Sequence, residues 1–357
     1  MQVVCPVAWR QRWRTPREFL WPPSDASRGL WVHYPTFFPL SRVAPELNAK
    51  FMYQTTRRTV RLIRQKFPFD AILAVWAYPD AVAAMHFSRA YRCPLVINLL
   101  GSDANELSQR PALKPLITEA FLHSSSVVVL SRAMGQRVEA LGIPGERIVV
   151  QYNGVDQVRF NVGDQKTARS RLTLPLGRPI VLYVGNLEPV KGPDILLEAF
   201  ARLVAQSPEP PLLVMVGGGS LEPALAEGVR RRGLTPHVRL AGKRTHDEVP
   251  DWLKAADVLC LPSRMEGCPN VVIEAFASGR PVVATAVGGV PELLEDKRGI
   301  LVPAEDPDAL SLGLAEALDR TWDANAIRQS VEHLTWDAFG RTFERVLRRA
   351  VHGAETE

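Results

Sequence analysis

The chain has 357 residues, 46% of them hydrophobic and 23% charged, with a formal net charge of +5. That length can supply two domains with sizeable cores, and the composition suits a globular protein better than a disordered one. No apolar run approaches the roughly 18 residues of a spanning helix, and Arg10, Arg12 and Arg14 interrupt the start before a secretory signal could form. Cys5, Cys93, Cys260 and Cys268 lack zinc or disulfide-framework spacing, which points to a reducing cytoplasm, and none of the seven histidines shows metal spacing.

In chain order, Val3, Val4 and Val7 suggest an opening strand, and residues 57–66 a basic helix. Strands follow at 71–76, 94–99, 126–130 and 147–151, with helices at 80–91 and 132–141, the second with Ser131 as its N-cap candidate. A polar stretch at 160–178, containing Gly163, Pro175 and Gly177, marks the break between domains. Beyond it come strands at 180–184, 212–216, 238–240, 258–261, 282–284 and 299–302, with helices between them, and a last helix at 336–350. Strands alternating with helices make an α/β protein with doubly wound parallel sheets.

Charge is unevenly spread. Residues 1–160 hold 20 Lys+Arg against 11 Asp+Glu, a balance of +9, while residues 161–357 hold 23 against 27, a balance of −4. Arg57, Arg61 and Arg64 share a helix face by their i, i+4, i+7 spacing. A solvated face explains this cluster, and so does contact with an anionic membrane surface. Nucleic acid is disfavoured, because no aromatic-interleaved basic motif accompanies the charge.

The segment with most chemistry is Ser263-Arg264-Met265-Glu266-Gly267-Cys268-Pro269-Asn270-Val271-Val272-Ile273-Glu274. It joins the buried strand ending at Leu261-Pro262 to a helix at 271–278 that stops at Gly279. First-turn N–H groups have no intrahelical partner and the helix dipole favours negative charge, so this mouth suits an anion. Glu266 and Glu274, eight residues apart, are acceptors suited to sugar hydroxyls. A phosphate with sugars attached fits both features, although acids near a helix start are also common for purely structural reasons.

These residues resemble family 4 of the retaining, nucleotide-sugar-dependent glycosyltransferases. Glu-x7-Glu after Leu-Pro-Ser carries the resemblance, together with the continuation through Gly279-Arg280-Pro281 to Val287-Gly288-Gly289-Val290-Pro291-Glu292. Val184-Gly185-Asn186-Leu187-Glu188-Pro189-Val190-Lys191-Gly192 resembles the family's phosphate-binding loop, and Tyr152-Asn153-Gly154-Val155-Asp156 the turn that closes its N-terminal domain. The similarity runs through nearly the whole chain.

The resemblance implies a GT-B fold, two Rossmann-like domains facing a cleft: 1–162 with a crossover helix at 335–352 on the acceptor side, and 163–334 binding the donor. It implies that Lys191 holds the donor diphosphate in place of a metal, that Glu274 grips the ribose, and that Glu266 lies beside the transferred sugar. Gly185, Asn186, Lys243, Arg244, Gly267, Cys268, Pro269, Asn270 and Val271 would complete the donor site. Gly101, Ser102 and Asp103 would form an acceptor-side loop, which as bare sequence is also a simple capped turn. Gly217-Gly218-Gly219 fails the dinucleotide pattern, since its third glycine position falls on Glu222, and reads as a turn near the diphosphate.

Three departures stand out. Asn186 replaces a frequent Arg, Leu100 a frequent His or Arg, and the start at Met1 resembles the family's second strand, so that a strand, glycine-rich loop and helix are expected ahead of it. The implied activity is retaining transfer of a hexose from a nucleoside-diphosphate sugar to a glycan or lipid-linked acceptor, in cell-surface polysaccharide or glycolipid synthesis, with no cofactor. A non-catalytic nucleotide-sugar-binding remnant and a nucleotide-sugar epimerase on the same fold remain as alternatives.

Overall fold

The computed structural model describes residues 1–9, 29–39, 44–101, 110–294 and 297–353. The chain divides into two units: Met1–Leu130 with Met134–Gln151 and Arg341–Glu357, and Ser131–Ala133 with Tyr152–Gly340. The division falls ahead of the expected boundary at 162, because the residues in between are tied to the second unit. Val155 N–H donates to Leu334 O at 2.9 Å, Gln157 Nε2 to Val331 O at 3.0 Å, and Arg328 Nη1 to Phe160 O at 2.9 Å.

In the first unit, β1 (Gln2–Val4) pairs in parallel with β3 (Trp31–His33), and β2 (Val7–Ala8) with β4 (Thr36–Phe37). The expected opening strand is thus two short ones, separated at Pro6, which has no N–H to give a ladder. A four-stranded parallel sheet follows in the order β5 (Ile72–Val75), β6 (Leu95–Asn98), β7 (Ser126–Val129), β8 (Ile148–Val150). Its middle strands β6 and β7 are apolar runs buried on both faces, as a covered parallel sheet requires. Helix α1 (Asn48–Lys66) buries Ala49, Met52, Thr56, Val60 and Ile63 and leaves Arg57, Arg58 and Arg61 exposed. Arg64 departs from the expected basic face: its guanidinium turns over the Phe69 ring, 4.7 Å from the centroid, where cation–π attraction holds it. The next helix, α2 (Val82–Tyr91), starts two residues later than expected, after an irregular turn over Ala77–Ala81.

The second unit has one six-stranded parallel sheet in the order β11 (Val238–Gly242), β10 (Leu212–Val216), β9 (Ile180–Val184), β12 (Val258–Leu261), β13 (Val282–Thr285), β14 (Gly299–Val302). Strand order reverses between β9 and β12, the switch point at which doubly wound sheets open a crevice beyond the strands' C-terminal ends. The polar stretch expected as a break is instead packed. It contains helix Gln165–Arg171, capped by Asp164, and Arg169 is only 4% exposed. Arg169 Nη2 pairs with Asp257 Oδ2 at 2.6 Å, and the same oxygen accepts the Ile180 N–H at 2.6 Å, so Asp257 fastens the starts of β9 and β12 to this helix. A buried charge survives here because it is paired and fully hydrogen-bonded, a context composition cannot reveal.

Candidate functional site

The loops leaving β9 and β12, on either side of the switch point, bring two predicted residues together. After β9 the chain runs through Gly185 and Asn186 into a single 3-10 turn, Pro189–Lys191, and then into the helix Pro193–Gln206. Gly192 joins the two at φ +64°, and a Cβ there would lie 2.0 Å from the Pro262 carbonyl oxygen. Only glycine tolerates both that backbone and that approach, so the Lys191 turn can sit against the end of β12. There Lys191 Nζ lies 2.7 Å from Glu266 Oε1, and Ser263 Oγ donates to the same oxygen at 2.7 Å. Glu266 is 6% exposed in its side chain and Lys191 32%, so the carboxylate is buried while the lysine side chain is only partly covered.

Arg264 holds this arrangement from behind. It makes a bidentate pair with Asp194, at 2.9 and 2.8 Å, binds Glu305 Oε1 at 2.5 Å and also donates to the Pro189 carbonyl. The Arg264 guanidinium keeps the Asp194 carboxyl below its usual range. Neither Arg264 nor Asp194 was singled out from sequence. The only signal was an acid in the first turn of one helix and an Arg in the loop of another, which carries no periodicity. Tyr183 is a second hidden support: its hydroxyl donates to the Asn186 carbonyl at 2.7 Å, and burial followed by the Glu266 charge pushes its pKa far above the ordinary value.

Helix Asn270–Ala277 opens one residue earlier than expected, with Pro269 as N-cap. Gly267, Cys268 and Pro269 form the strand-to-helix loop, and Asn270 Oδ1 accepts from Asn153 Nδ2 at 2.7 Å. Cys268 is buried, with its thiol pushed up to about 12 by burial and by the Glu292 and Glu266 charges, so it is a packing residue rather than a nucleophile. The following loop closes down on this one: Gly288 has φ +54°, and a Cβ there would meet the Glu266 carbonyl oxygen at 1.9 Å. Val271 and Glu274 lie on successive turns of the helix, with Glu274 13% exposed in its side chain. Glu274 Oε1 is 2.9 Å from Nε2 of His246, which follows β11.

Lys243 and Arg244 also follow β11. Lys243 is exposed, whereas Arg244 donates to the Ala241 carbonyl at 2.9 Å and stands 3.7 Å from Glu248. The glycine-rich turn approaches the phosphate loop, since a Cβ at Gly217 would strike the Gly185 carbonyl oxygen, and Ser220 donates from N and Oγ to the Glu188 carboxylate. In the first unit Gly101 is buried with φ +113°, and Ser102 and Asp103 lie outside the described residues. Among the described residues no cluster of three or more His, Cys, Asp or Glu has the geometry to hold a metal. A cavity of about 270 Å³ bounded by Arg178, Glu209 and His237 lies at the opposite strand ends, where Arg178 is spent on the carbonyls of Pro210, Pro211 and Pro236. It has none of the loops that cradle anions.

Comparison with known proteins gives a consistent picture. Residues 178–320 match the family model "Glycosyl transferases group 1", and residues 15–159 match "Glycosyltransferase Family 4". Among curated relatives, a D-inositol 3-phosphate glycosyltransferase of Catenulispora acidiphila is 38% identical over 191 residues, 51% of this chain and 45% of the relative. Another of that name, from Streptomyces scabiei, is 32% identical over 266 residues, 70% of this chain and 59% of the relative. The chain spans about half the length of the curated relatives it matches. Of solved structures, Anabaena HepE in complex with UDP and glucose superposes with a TM-score of 0.72 at 22% identity, covering 90% of this chain and 87% of that one. Sucrose-phosphate synthase from Thermosynechococcus elongatus gives 0.72 at 22% identity, covering 91% and 90%.

Proposed function

Because the chain belongs to glycosyltransferase family 4 and has the GT-B fold, we propose that it transfers a hexose from a nucleoside-diphosphate sugar to a glycan or lipid-linked acceptor, with retention. The observation that carries this reading is the Lys191–Glu266 pair at the switch point, beside the mouth of helix Asn270–Ala277. An ammonium on one loop and free helix N–H groups on the next can share one diphosphate. In the proposed reaction Lys191 carries the charge that grows on the departing diphosphate, a role that metal ions fill in other transferases. Glu266 accepts hydroxyls of the transferred sugar and Glu274 those of the ribose. The N–H groups of Gly267, Cys268, Asn270 and Val271 are assigned to the sugar and phosphate, Pro269 having none to give, and Gly185 and Asn186 form the floor of the phosphate loop. Lys243 and Arg244 stand on the base side. Gly101, Ser102 and Asp103 are assigned to the acceptor, and the proton of the attacking hydroxyl is assigned to the donor's own phosphate.

No helix among the described residues is long and apolar enough to cross a membrane. Contact with an anionic cytoplasmic membrane face is assigned instead to α1, which contains no Asp or Glu and exposes Arg57, Arg58 and Arg61 alongside Leu62. A lipid-linked acceptor would be met there.

The test is release of nucleoside diphosphate from UDP-, GDP- and ADP-hexoses with a panel of acceptors that includes D-inositol 3-phosphate, the compound in the relatives' names. Acceptor-dependent release with a retained anomeric configuration supports transfer. Binding without turnover points to a nucleotide-sugar-binding remnant, and sugar inversion or release without any acceptor points to an epimerase.

A further inference from the structure

His246 has no role in the donor site proposed above, yet among the described residues it makes the one side-chain hydrogen bond to the Glu274 carboxylate. Its Nε2 lies 2.9 Å from Glu274 Oε1, which requires the tautomer with a proton on Nε2. The ring leans on Phe160, 5.5 Å between centroids at 54°, and Phe160 is itself 1% exposed and therefore fixed. The loop bearing His246 is anchored on both sides. Glu248 accepts from Thr245 N and Oγ1 at 2.8 and 2.9 Å, and Asp247 pairs with Arg159. The imidazole, although 60% exposed, is thus supported from below and aimed at one oxygen of a carboxylate that is 13% exposed.

We infer that His246 is a positioning residue for the nucleoside: by holding Glu274 Oε1 it sets the rotamer that offers Oε2 to the vicinal ribose hydroxyls of the donor. The inference rests on the proposed donor role of Glu274 and adds the residue that orients it. A free Glu side chain samples several rotamers, and each rotamer removed before binding lowers the entropic cost of binding. The physical prediction is specific to ribose. Loss of His246 weakens only ligands whose 2′- and 3′-hydroxyls meet Glu274.

The experiment measures binding of UDP, GDP and ADP, and of the 2′,3′-dideoxy form of whichever binds, to wild type, His246→Ala, His246→Gln and Glu274→Ala. His246→Ala is expected to bind the ribose form about tenfold more weakly, the scale of one hydrogen bond to a charged group. It should bind the dideoxy form as wild type does. His246→Gln, which returns an N–H donor at the same reach, should restore affinity to within about threefold. Wild-type affinity in His246→Ala, an equal loss on the dideoxy ligand, or no rescue by Gln would each overturn the inference. If Glu274→Ala alone loses affinity, the donor site stands and only the role of His246 falls. If Glu274→Ala binds as wild type, the donor reading itself falls.

Discussion

Lys191 and Glu266 are 75 residues apart in sequence, yet Lys191 Nζ stands 2.7 Å from Glu266 Oε1. The pair spans the switch point of the sheet, one partner on the loop after β9 and the other on the loop after β12. An ammonium already held beside a buried carboxylate is ordered before any diphosphate arrives, and preorganised charge is what stabilises a leaving group efficiently.

Lys191→Ala is therefore expected to lower transfer turnover by about 10²- to 10³-fold, the scale of losing one electrostatic donor. Magnesium or EDTA should alter the wild-type rate little. Steady-state rates with and without each addition check both points, and strict dependence on a divalent ion would remove Lys191 from its assigned role.

Arg264→Met tests the support behind the pair. Asp194 and Glu305 are 48% and 60% exposed in their side chains, so solvent screens the pair and the loss at pH 7 is about 1 kcal/mol. The folded Asp194 carboxyl is held below its ordinary value by Arg264, so this contribution is present above the unfolded Asp pKa, about 3.9. It is lost as pH falls through the folded value. Urea titrations should show the gap between wild type and variant closing in acid. A gap that widens in acid would contradict the pairing.

Much of this site was legible because the loops are local. A strand, a Glu, a proline and a helix start follow one another within a dozen or so residues around Glu266, and Lys191 sits in a similar run. What escaped is the set of contacts between runs. Arg264 with Asp194, Ser220 with Glu188 and His246 with Glu274 join loops that meet only when six strands stack in the order 11-10-9-12-13-14. The stretch at 160–178, polar in composition yet packed in the fold, differs for a related reason. Composition marks Arg169 as a surface residue, and its burial is made possible by the pairing with Asp257 and by donation to the carbonyls of Ala255, Leu176 and Arg178.

Arg169→Met should accordingly destabilise the protein by about 1 to 3 kcal/mol, since the carbonyls of Ala255, Leu176 and Arg178 would lose the buried donor that Arg169 gives them. Arg169 serves the opposite strand ends from Lys191, so nucleotide affinity should hold. Denaturation and binding measured on the same preparation separate the two effects. A stable variant with weakened nucleotide binding would reverse the assignment.

The basic face of α1 makes a further expectation. Reversing Arg57, Arg58 and Arg61 to Glu should abolish co-sedimentation with phosphatidylglycerol vesicles, while wild-type binding should fall steeply with salt and be weak on phosphatidylcholine. Each Arg near an anionic surface contributes about 1 kcal/mol, so three reversals are decisive. Equal binding of wild type and variant would leave α1 as a solvated face.

The donor site itself is tested most directly by thermal unfolding with UDP, GDP and ADP, on wild type and Glu274→Ala. At about 100 times the dissociation constant, a ligand that binds only the folded state adds roughly 2.7 kcal/mol, visible as a raised midpoint. At least one nucleotide is expected to raise the wild-type midpoint and to do so far less in Glu274→Ala. No shift with any of the three, or an undiminished shift in the variant, would contradict a nucleotide-sugar site built on Lys191, Glu266 and Glu274.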